Sequence, residues 1–414
     1  MLPSRFSSRG WAFCLAVMAL LLGSPARAEG NLIITCIDVG QGDSTLIQSP
    51  SGRTLLFDGG KNGRGNAIVV PLLQSVGIDT LDYMVASHYH SDHIGGLDEV
   101  FAAIPVREAV YDRGWSYSSA TYDSYATTVA AKRQTIQPGQ IIDLGEGVIV
   151  TCLALNGNDQ LPPPYNDRSK ENEYDVCLKV EYGGFDFFQA GDLTGGGLSY
   201  EDIETSVAPL VGDLDVYHVS HHGSISSSNP AFMQAVQSEV AIISVGDNGY
   251  GHPAQEVLDR LVQYGNFVYQ TEEGEGGTLS SQDLRVLNGH ISIVTDGGAT
   301  YTVAGDTWAT DEDNLSDAPA PALAFRDLGN HPNPFNPATT IRFESAQAGD
   351  ARLAVYDLTG RLVDSRALRT QTGLNQITWY GRNRQGRALP GGAYLYRVES
   401  AAGSSATGRM MLLK

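Results

Sequence analysis

Residues 81–96 read LDYMVASHYHSDHIGG, and this stretch limits the possible folds more than any other. An apolar, strand-like run ends at Ser87. His88, His90, Asp92 and His93 then fall within six residues, in a chain with only nine histidines. Along an extended segment, residues i and i+2 point the same way. His88 and His90 can therefore converge on one cation. The chain then turns, and Asp92 and His93 can face a second cation beside the first. Gly95 and Gly96 follow, and a helix is expected to begin there. An isolated histidine is usually a core or surface residue. Four such donors in six residues at the end of a buried strand point instead to a ligand site, because such sites collect at strand ends in α/β sheets. Imidazole and carboxylate donors suit zinc, manganese or iron better than calcium.

A site for two cations needs further donors, and other apolar runs end in them. GFDFFQAGD ends at Asp192 and is expected to pair with VCLKVEY through a turn at Gly183 and Gly184. LDVYHVSHHGS ends at His221 and His222, and VAIISVGDNGYGHP ends near His252. A carboxylate such as Asp192 can bridge two cations ~3.5–4 Å apart. Between about residues 29 and 306, short β-rich runs alternate with amphipathic ones (AIVVPLLQSVG, AFMQAVQS, PAQEVLDRLVQYG). That alternation predicts an α/β fold, with sheets covered by helices.

The two ends of the chain read differently. Arg5 and Arg9, then WAFCLAVMALLLG, then ARA form the pattern of a signal peptide over residues 1–28, cut after Ala28. The apolar run is short of the ~20 residues a membrane span needs, so no transmembrane segment is expected in the mature chain. The leader would carry away Arg5, Arg9 and Arg27 of the 27 basic residues and no acid. That leaves 24 bases against 47 acids, a formal −23. Such a surface repels polyanions and disfavours nucleic acid as a partner. Residues 309–325 are acidic and rich in Pro and Ala, which predicts a linker between a domain at 29–308 and another at 326–414. The latter alternates apolar and polar residues between Gly turns, which predicts a small β-sandwich. Cys36, Cys152 and Cys177 lie in strand-like runs and read as buried free thiols. A Cys152–Cys177 pair is the alternative.

HYHSDH, then GD at 191–192, then HHG at 221–223 resemble the metallo-β-lactamase superfamily. With IDVGQGDSTLI, LLFDGG and GHP in order, the chain looks most like the metallohydrolase domain of competence proteins and the related phosphorylcholine esterases. This resemblance covers about residues 31–296. It implies a four-layer αββα sandwich holding two divalent metal ions, zinc first and manganese or iron as alternatives. The implied ligands are His88, His90, Asp92, His93, Asp192 and His222, with Asp58 behind them orienting a ligand. Most of the superfamily has one more histidine ligand shortly before the bridging aspartate. This chain has none between His93 and His218. Asn172, Asp175, His221, His252 or a water are the candidates for that place. Residues 330–414, with NPFNP and the closing MLLK, resemble the C-terminal sorting domains of type IX secretion cargo and hook-capping-type immunoglobulin-like repeats. This implies export to the cell surface or medium through the secretion machinery. A carbohydrate- or protein-binding module using Trp379, Tyr394 and Tyr396 is the alternative.

The expected activity is that of a secreted metal-dependent hydrolase, in which a hydroxide held by the metals attacks a phosphodiester or phosphorylcholine-type ester. Asp92 would hold and orient the nucleophile. His221 or His252 would protonate the leaving group or bind a phosphate oxygen. The expected substrate is a small molecule or a surface polymer. An acyl hydrolase acting on a lactone or lactam, and a non-catalytic adhesin with a structural metal site, are the alternatives. Asp43 and Ser44 either line the entrance or form a plain turn. The Tyr-rich stretch 111–134 either walls the site or packs as surface structure. Arg168 and Lys170 either meet an anionic substrate or are solvated loop charges.

Overall fold

The computed structural model describes residues 30–310, 325–345, 348–357, 361–371, 373–384, 386–400 and 405–413. The expected leader and most of the expected linker lie outside the described residues. The chain forms two compact units that divide between residues 315 and 316.

The first unit contains two large mixed sheets. In one, the order from edge to edge is Asp306–Ala309, Thr300–Val303, Ile291–Thr295, Leu32–Cys36, Thr45–Gln48, Thr54–Phe57, Leu81–Val85, Val106–Asp112 and Arg133–Thr135. In the other it is Leu284–Val286, Phe267–Gln270, Val240–Ile243, Val216–His218, Phe185–Gln189, Cys177–Tyr182, Ile149–Ala154 and Ile141–Asp143. Each sheet has a parallel part. Thr54–Phe57, Leu81–Val85 and Val106–Asp112 run parallel in the first. Phe185–Gln189, Val216–His218, Val240–Ile243 and Phe267–Gln270 run parallel in the second.

The buried side chains explain the layering. Leu55, Phe57 and Val85 of the first sheet pack with Phe187, Val216 and Ile242 of the second in one apolar layer. Leu56 and Met84 point the other way. They meet Val69, Leu73, Leu97 and Val100, carried largely by the helices Val70–Ser75 and Leu97–Ala103. Phe188, Tyr217, Ala241 and Ile243 face Val207, Val211, Phe232, Val236, Val257 and Leu261, on helices covering the second sheet. Central strands buried on both faces show continuous apolar runs, as parallel strands must, and alternate residues feed different layers. The result is helix, sheet, sheet, helix, the αββα sandwich. No helix among the described residues is long and apolar enough to cross a membrane.

Local chemistry accounts for several element ends. Asn229 caps the helix Pro230–Val236 by accepting from the Phe232 N–H at 2.8 Å, with Pro230 in its first turn. Phe185–Gln189 pairs antiparallel with Cys177–Tyr182 around Gly183 and Gly184. Cys36, Cys152 and Cys177 are buried free thiols, so the alternative Cys152–Cys177 pairing is not formed. Burial pushes the Cys36 and Cys152 thiols up to about 12, which keeps both protonated and inert.

The second unit is a sandwich of two sheets. Phe325–His331, Thr339–Ser345 and Gly373–Trp379 form one. Leu362–Thr370, Gly349–Asp357, Gly392–Ser400 and Ser405–Leu412 form the other. Phe335, Ile341, Phe343, Leu353, Val355, Trp379, Tyr396, Val398 and Met410 fill the space between them. Trp379, Tyr394 and Tyr396 are buried there, and the indole N–H of Trp379 donates to Asp364 at 3.0 Å. They hold the sandwich together and are not free to stack on a sugar.

A buried ion pair braces the first unit beside the HYHSDH loop. Arg113 meets Glu171 with two parallel bonds of 2.9 and 2.7 Å, both side chains fully enclosed. Glu171 also accepts from the Tyr89 N–H at 2.9 Å. Removing one partner of such a pair leaves a buried charge unmet, at a cost of ~3–5 kcal/mol. Arg113→Met is expected to lose that much stability in urea unfolding, and Arg113→Met/Glu171→Leu to recover part of it. Equal losses in the two variants would mean that the charge pairing is not what braces the loop.

Candidate metal centre

Every side chain of the cluster leaves the C-terminal end of a strand or the turn after it. Thr54–Phe57 ends at Asp58. Leu81–Val85 leads into Ser87, His88 and His90, and the turn after them carries Asp92 and His93. Phe185–Gln189 leads to Asp192, Val216–His218 to His221 and His222, and Val240–Ile243 to Ser244 and on to His252. Because the strands run parallel, these ends lie on one side of the sandwich. Gly191 makes the approach possible. Its φ is +45°, and a Cβ there would overlap Ser87 Oγ and the Asp175 carboxylate.

The Asp192 carboxylate is the centre, and its two oxygens serve different partners. Oδ1 lies 3.1 Å from His93 Nε2 and 3.5 Å from His222 Nε2. Asp92 Oδ2 is 3.7 Å from the same His222 nitrogen. Oδ2 lies 3.7 Å from His88 Nε2, which is 3.1 Å from His90 Nδ1. Atoms that bind one zinc at 2.0–2.2 Å stand roughly 3.3–3.6 Å from one another around a tetrahedron. The observed separations are close to that spacing. His93 Nε2, His222 Nε2 and Asp192 Oδ1 are all buried without a hydrogen bond. Buried polar atoms left unmet are costly, and a shared cation is what this donor set fits. One set is Asp92, His93, His222 and Asp192 Oδ1, and the other is His88, His90 and Asp192 Oδ2.

The histidines are pinned from behind. His93 Nδ1–H donates to Asp58 Oδ2 at 2.9 Å, and His222 Nδ1–H to the Ser244 carbonyl at 2.8 Å. His88 Nδ1 stands 3.0 Å from both Ser87 Oγ and Asp175 Oδ1. With the proton fixed on Nδ1, the Nε2 lone pair is presented to a cation. Asp58 itself accepts from the Ser87 N–H and Oγ–H at 2.8 and 2.7 Å, in a left-handed turn with φ of +59°.

The charge balance also favours cations. Burial alone would push His222 down, but Asp43, Asp192 and Asp92 outweigh it and push it up to about 9. His93, buried between Asp192 and Asp58, is also held well above the ordinary imidazole value. Asp92 and Asp192 are held below the usual carboxylate range, because the surrounding histidines outweigh the effect of burial. In the protein alone, protons on His93 and His222 offset the carboxylates, and cations would take their place.

The fold brings together all six residues read as ligands, along with Asp58. Asp175 and Asp43 stand elsewhere than at the sites the sequence suggested. Asp175 is behind His88, on its Nδ1 side. Asp43 is buried and does not line an entrance. Its carboxylate is 3.6 Å from His222 Nδ1 and 3.9 Å from His93 Nδ1, and burial pushes it up to about 7. Ser44 donates to the Asp58 carbonyl at 3.0 Å. Tyr122 and Tyr125 of the Tyr-rich stretch are buried against Tyr89, and only Tyr117 approaches His90, with ring centroids 6.1 Å apart. Lys170 pairs with Glu201 at 2.9 Å, and Arg168 lies over Tyr117. The cleft above the cluster, about 470 Å³, is lined instead by Gln41, Leu198, Tyr200, Tyr250 and His252 beside the cluster itself. Leu198 and Tyr250 are 79% and 73% exposed at its rim. Leu198 lies outside every motif of the sequence, and Tyr250 directly precedes GHP without being singled out by it.

An αββα sandwich with paired histidine and aspartate donors at its strand ends defines a protein built to hold divalent metals. Residues 37–247, about half of the chain, match the family model for the metallo-beta-lactamase superfamily, and the chain belongs to that superfamily. Its members are generally hydrolases. Residues 330–404 match the model of the FlgD Ig-like domain. Similar curated proteins include ComE operon protein 3 of Bacillus subtilis, 30% identical over 284 residues, which cover 64% of this chain and 35% of that protein. Competence protein ComA of Neisseria gonorrhoeae is 29% identical over 69% of this chain and 38% of that protein. The chain thus spans little more than a third of the length of these relatives. Among solved structures, zinc-bound PqqB from Methylobacterium extorquens is similar at 13% identity and a TM-score of 0.37, covering 60% of this chain and 99% of that one.

Two outcomes follow from this geometry. His93 and His222 must give up protons to bind metal, and both are raised above the ordinary value. Zinc uptake at pH 7 is therefore expected to release protons, and affinity to rise as pH climbs toward about 9. Zinc titration in weak buffer with a pH electrode checks this, and uptake without acidification would contradict it. Asp58→Asn is expected to weaken metal binding ~10–100-fold, read by competition with a chromophoric chelator.

Proposed function

We propose that the first unit is a dinuclear metal-dependent hydrolase that cleaves a phosphodiester or phosphorylcholine-type ester. The observation that carries this reading is the division of the Asp192 oxygens between two donor sets beneath an open cleft. His88, His90 and Asp192 would hold one ion, and Asp92, His93, His222 and Asp192 the other. Zinc suits these donors first, then manganese or iron. Bound ions of this kind bring water toward a pKa of about 7 and polarise a phosphoryl oxygen.

The chain's own groups do the remaining work. Asp92, half-buried at the cleft floor, stays ionised and can accept a hydrogen bond from the attacking water. Burial holds His252 down to about 4, so it faces substrate as a neutral imidazole. In that form it can donate an N–H to a phosphoryl oxygen or accept from one carrying a proton. Leu198, Tyr200 and Tyr250 exclude water from the rim and offer apolar and aromatic surface to the group beyond the ester. No Lys or Arg lines the cleft, so nothing there tracks a long polyanion. A small or surface-borne ester suits the cleft better than DNA. The name of one relative, Competence protein ComA, supports a nucleic-acid phosphodiester as the second substrate class. A lactone or lactam is the third.

The leader pattern at residues 1–28 and the sorting-domain resemblance of residues 330–414 support placing this hydrolase outside the cell, exported through its C-terminal unit. The test is a substrate panel of bis-aryl phosphate, a phosphorylcholine ester, single-stranded DNA and a lactone, run with wild type and His90→Ala. Loss of a ligand should cost more than the ~10–100-fold typical of a supporting residue, so turnover of the preferred phosphoester is expected to fall by more than ~100-fold. Equal turnover by the two proteins on every substrate would overturn the enzyme reading. A marked preference for lactone would move the activity to acyl bonds.

A further inference from the structure

The second donor set, His88, His90 and Asp192 Oδ2, has one member fewer than the first. The sequence left four side chains as candidates for the vacant place, and the geometry separates them. We propose that His221 supplies the missing ligand through Nε2, so that the consecutive residues His221 and His222 serve different ions on the two oxygens of Asp192. This rests on the dinuclear reading above.

Three observations carry it. First, His221 Nε2 lies 3.6 Å from Asp192 Oδ2, the oxygen that His88 Nε2 meets at 3.7 Å. That matches the separation of His222 Nε2 from Oδ1, 3.5 Å. Second, His221 is pinned as the other Nε2 donors are. Its Nδ1 is 3.1 Å from Ser226 Oγ, and Ser226 is itself within 3.0 Å of Ser224 Oγ. The amide nitrogen of Asn172, a donor only, sits 3.1 Å from His221 Nε2. Nε2 therefore accepts, the ring proton is on Nδ1 toward Ser226, and an ion at this place would take that lone pair over from the Asn172 N–H. Third, both histidines take left-handed backbone angles, with φ of +54° and +52°. Such angles cost a non-glycine residue on the order of 1–3 kcal/mol and persist where the surroundings enforce them. Here Ser227 Oγ donates to the Ser220 and Ser224 carbonyls at 2.8 and 2.9 Å. The buried Glu204 carboxylate accepts from the Ser228 and Asn229 N–H groups at 2.6 and 2.7 Å. The enforced turn aims two neighbouring imidazoles at one carboxylate.

The rivals lack these features. Asp175 stands on the far, Nδ1 side of His88. No hydrogen bond holds His252 from its Nδ1 side. Asn172 is buried beside His221 and holds it by the bond already described. Assigning His221 to the metal leaves His252 as the imidazole facing the substrate.

The test counts metal rather than turnover. Wild type, His221→Ala, His252→Ala and His222→Ala are loaded with zinc, dialysed and analysed for metal per chain. Affinities are read by chelator competition, and the fold is checked by circular dichroism. Wild type and His252→Ala are expected to hold two ions. His221→Ala is expected to hold one tightly and the second more than ~10-fold more weakly, with added imidazole restoring the second. Cobalt-loaded His221→Ala should show an altered visible absorption at one ion only, a readout of a lost imidazole that does not depend on yield or activity. If wild type holds two ions and His221→Ala holds two with unchanged affinity and spectrum, the assignment of His221 is overturned and the dinuclear reading stands. If wild type holds fewer than two, the dinuclear reading itself fails, and this assignment with it.

Discussion

A carboxylate enclosed in protein must be met by positive charge or protonated, because water no longer solvates it. Asp192 is in that position, with His88, His93, His221 and His222 arranged around its two oxygens. Asp43, Asp58, Asp92 and Asp175 crowd the same few ångströms. These five carboxylates and the imidazoles of His88, His90, His93, His221 and His222 form one largely buried cluster whose donors suit divalent cations. The αββα frame exists around it in a definite sense. Parallel strands of two separate sheets stop on the same side and deliver most of these groups, from one to four per strand.

The precision of the cluster comes from residues that touch no cation. Asp58 adopts a strained turn and ties His93 to Ser87. Gly191 lets the second sheet's turn approach Ser87 and Asp175 without collision. The Arg113–Glu171 pair anchors the segment carrying Asn172 against the HYHSDH loop through the Tyr89 N–H. Fixing the donors in advance limits the reorganisation that divalent ions would require on binding. The cleft above is less constrained, with exposed Leu198 and Tyr250 at its rim. That division suits an enzyme whose chemistry is set by the floor and whose substrate is chosen by the walls.

The second unit has a different balance. Its core is made of aromatic and aliphatic side chains between two small sheets, and its one buried indole is tied to Asp364. Trp379, Tyr394 and Tyr396 are spent on that core, so a binding role would fall to other residues. The match of residues 330–404 to the FlgD Ig-like domain agrees with an immunoglobulin-like sandwich.

The sequence by itself determined the class of fold, the layering and the donor types. Apolar runs buried on both faces, helices with one apolar stripe, and His or Asp at run after run of strand ends are local patterns, set by a periodicity of two or 3.6 residues and legible in a single chain. The HYHSDH spacing alone implied two adjacent cation sites. What it left open was every relation between segments distant in the chain. Asp43 read either as lining the entrance or as part of a plain turn, and is buried behind His93 and His222. The Tyr-rich stretch read either as a wall or as surface packing, and its Tyr122 and Tyr125 pack against Tyr89. Asn172, Asp175, His221, His252 and a water were all candidates for one place. Only tertiary structure separated them, through which nitrogen each ring presents, what pins its other side and which oxygen of Asp192 it meets. Those are distances of three to four ångströms between residues tens of positions apart. No local pattern encodes them, because they depend on how two sheets register across a shared core.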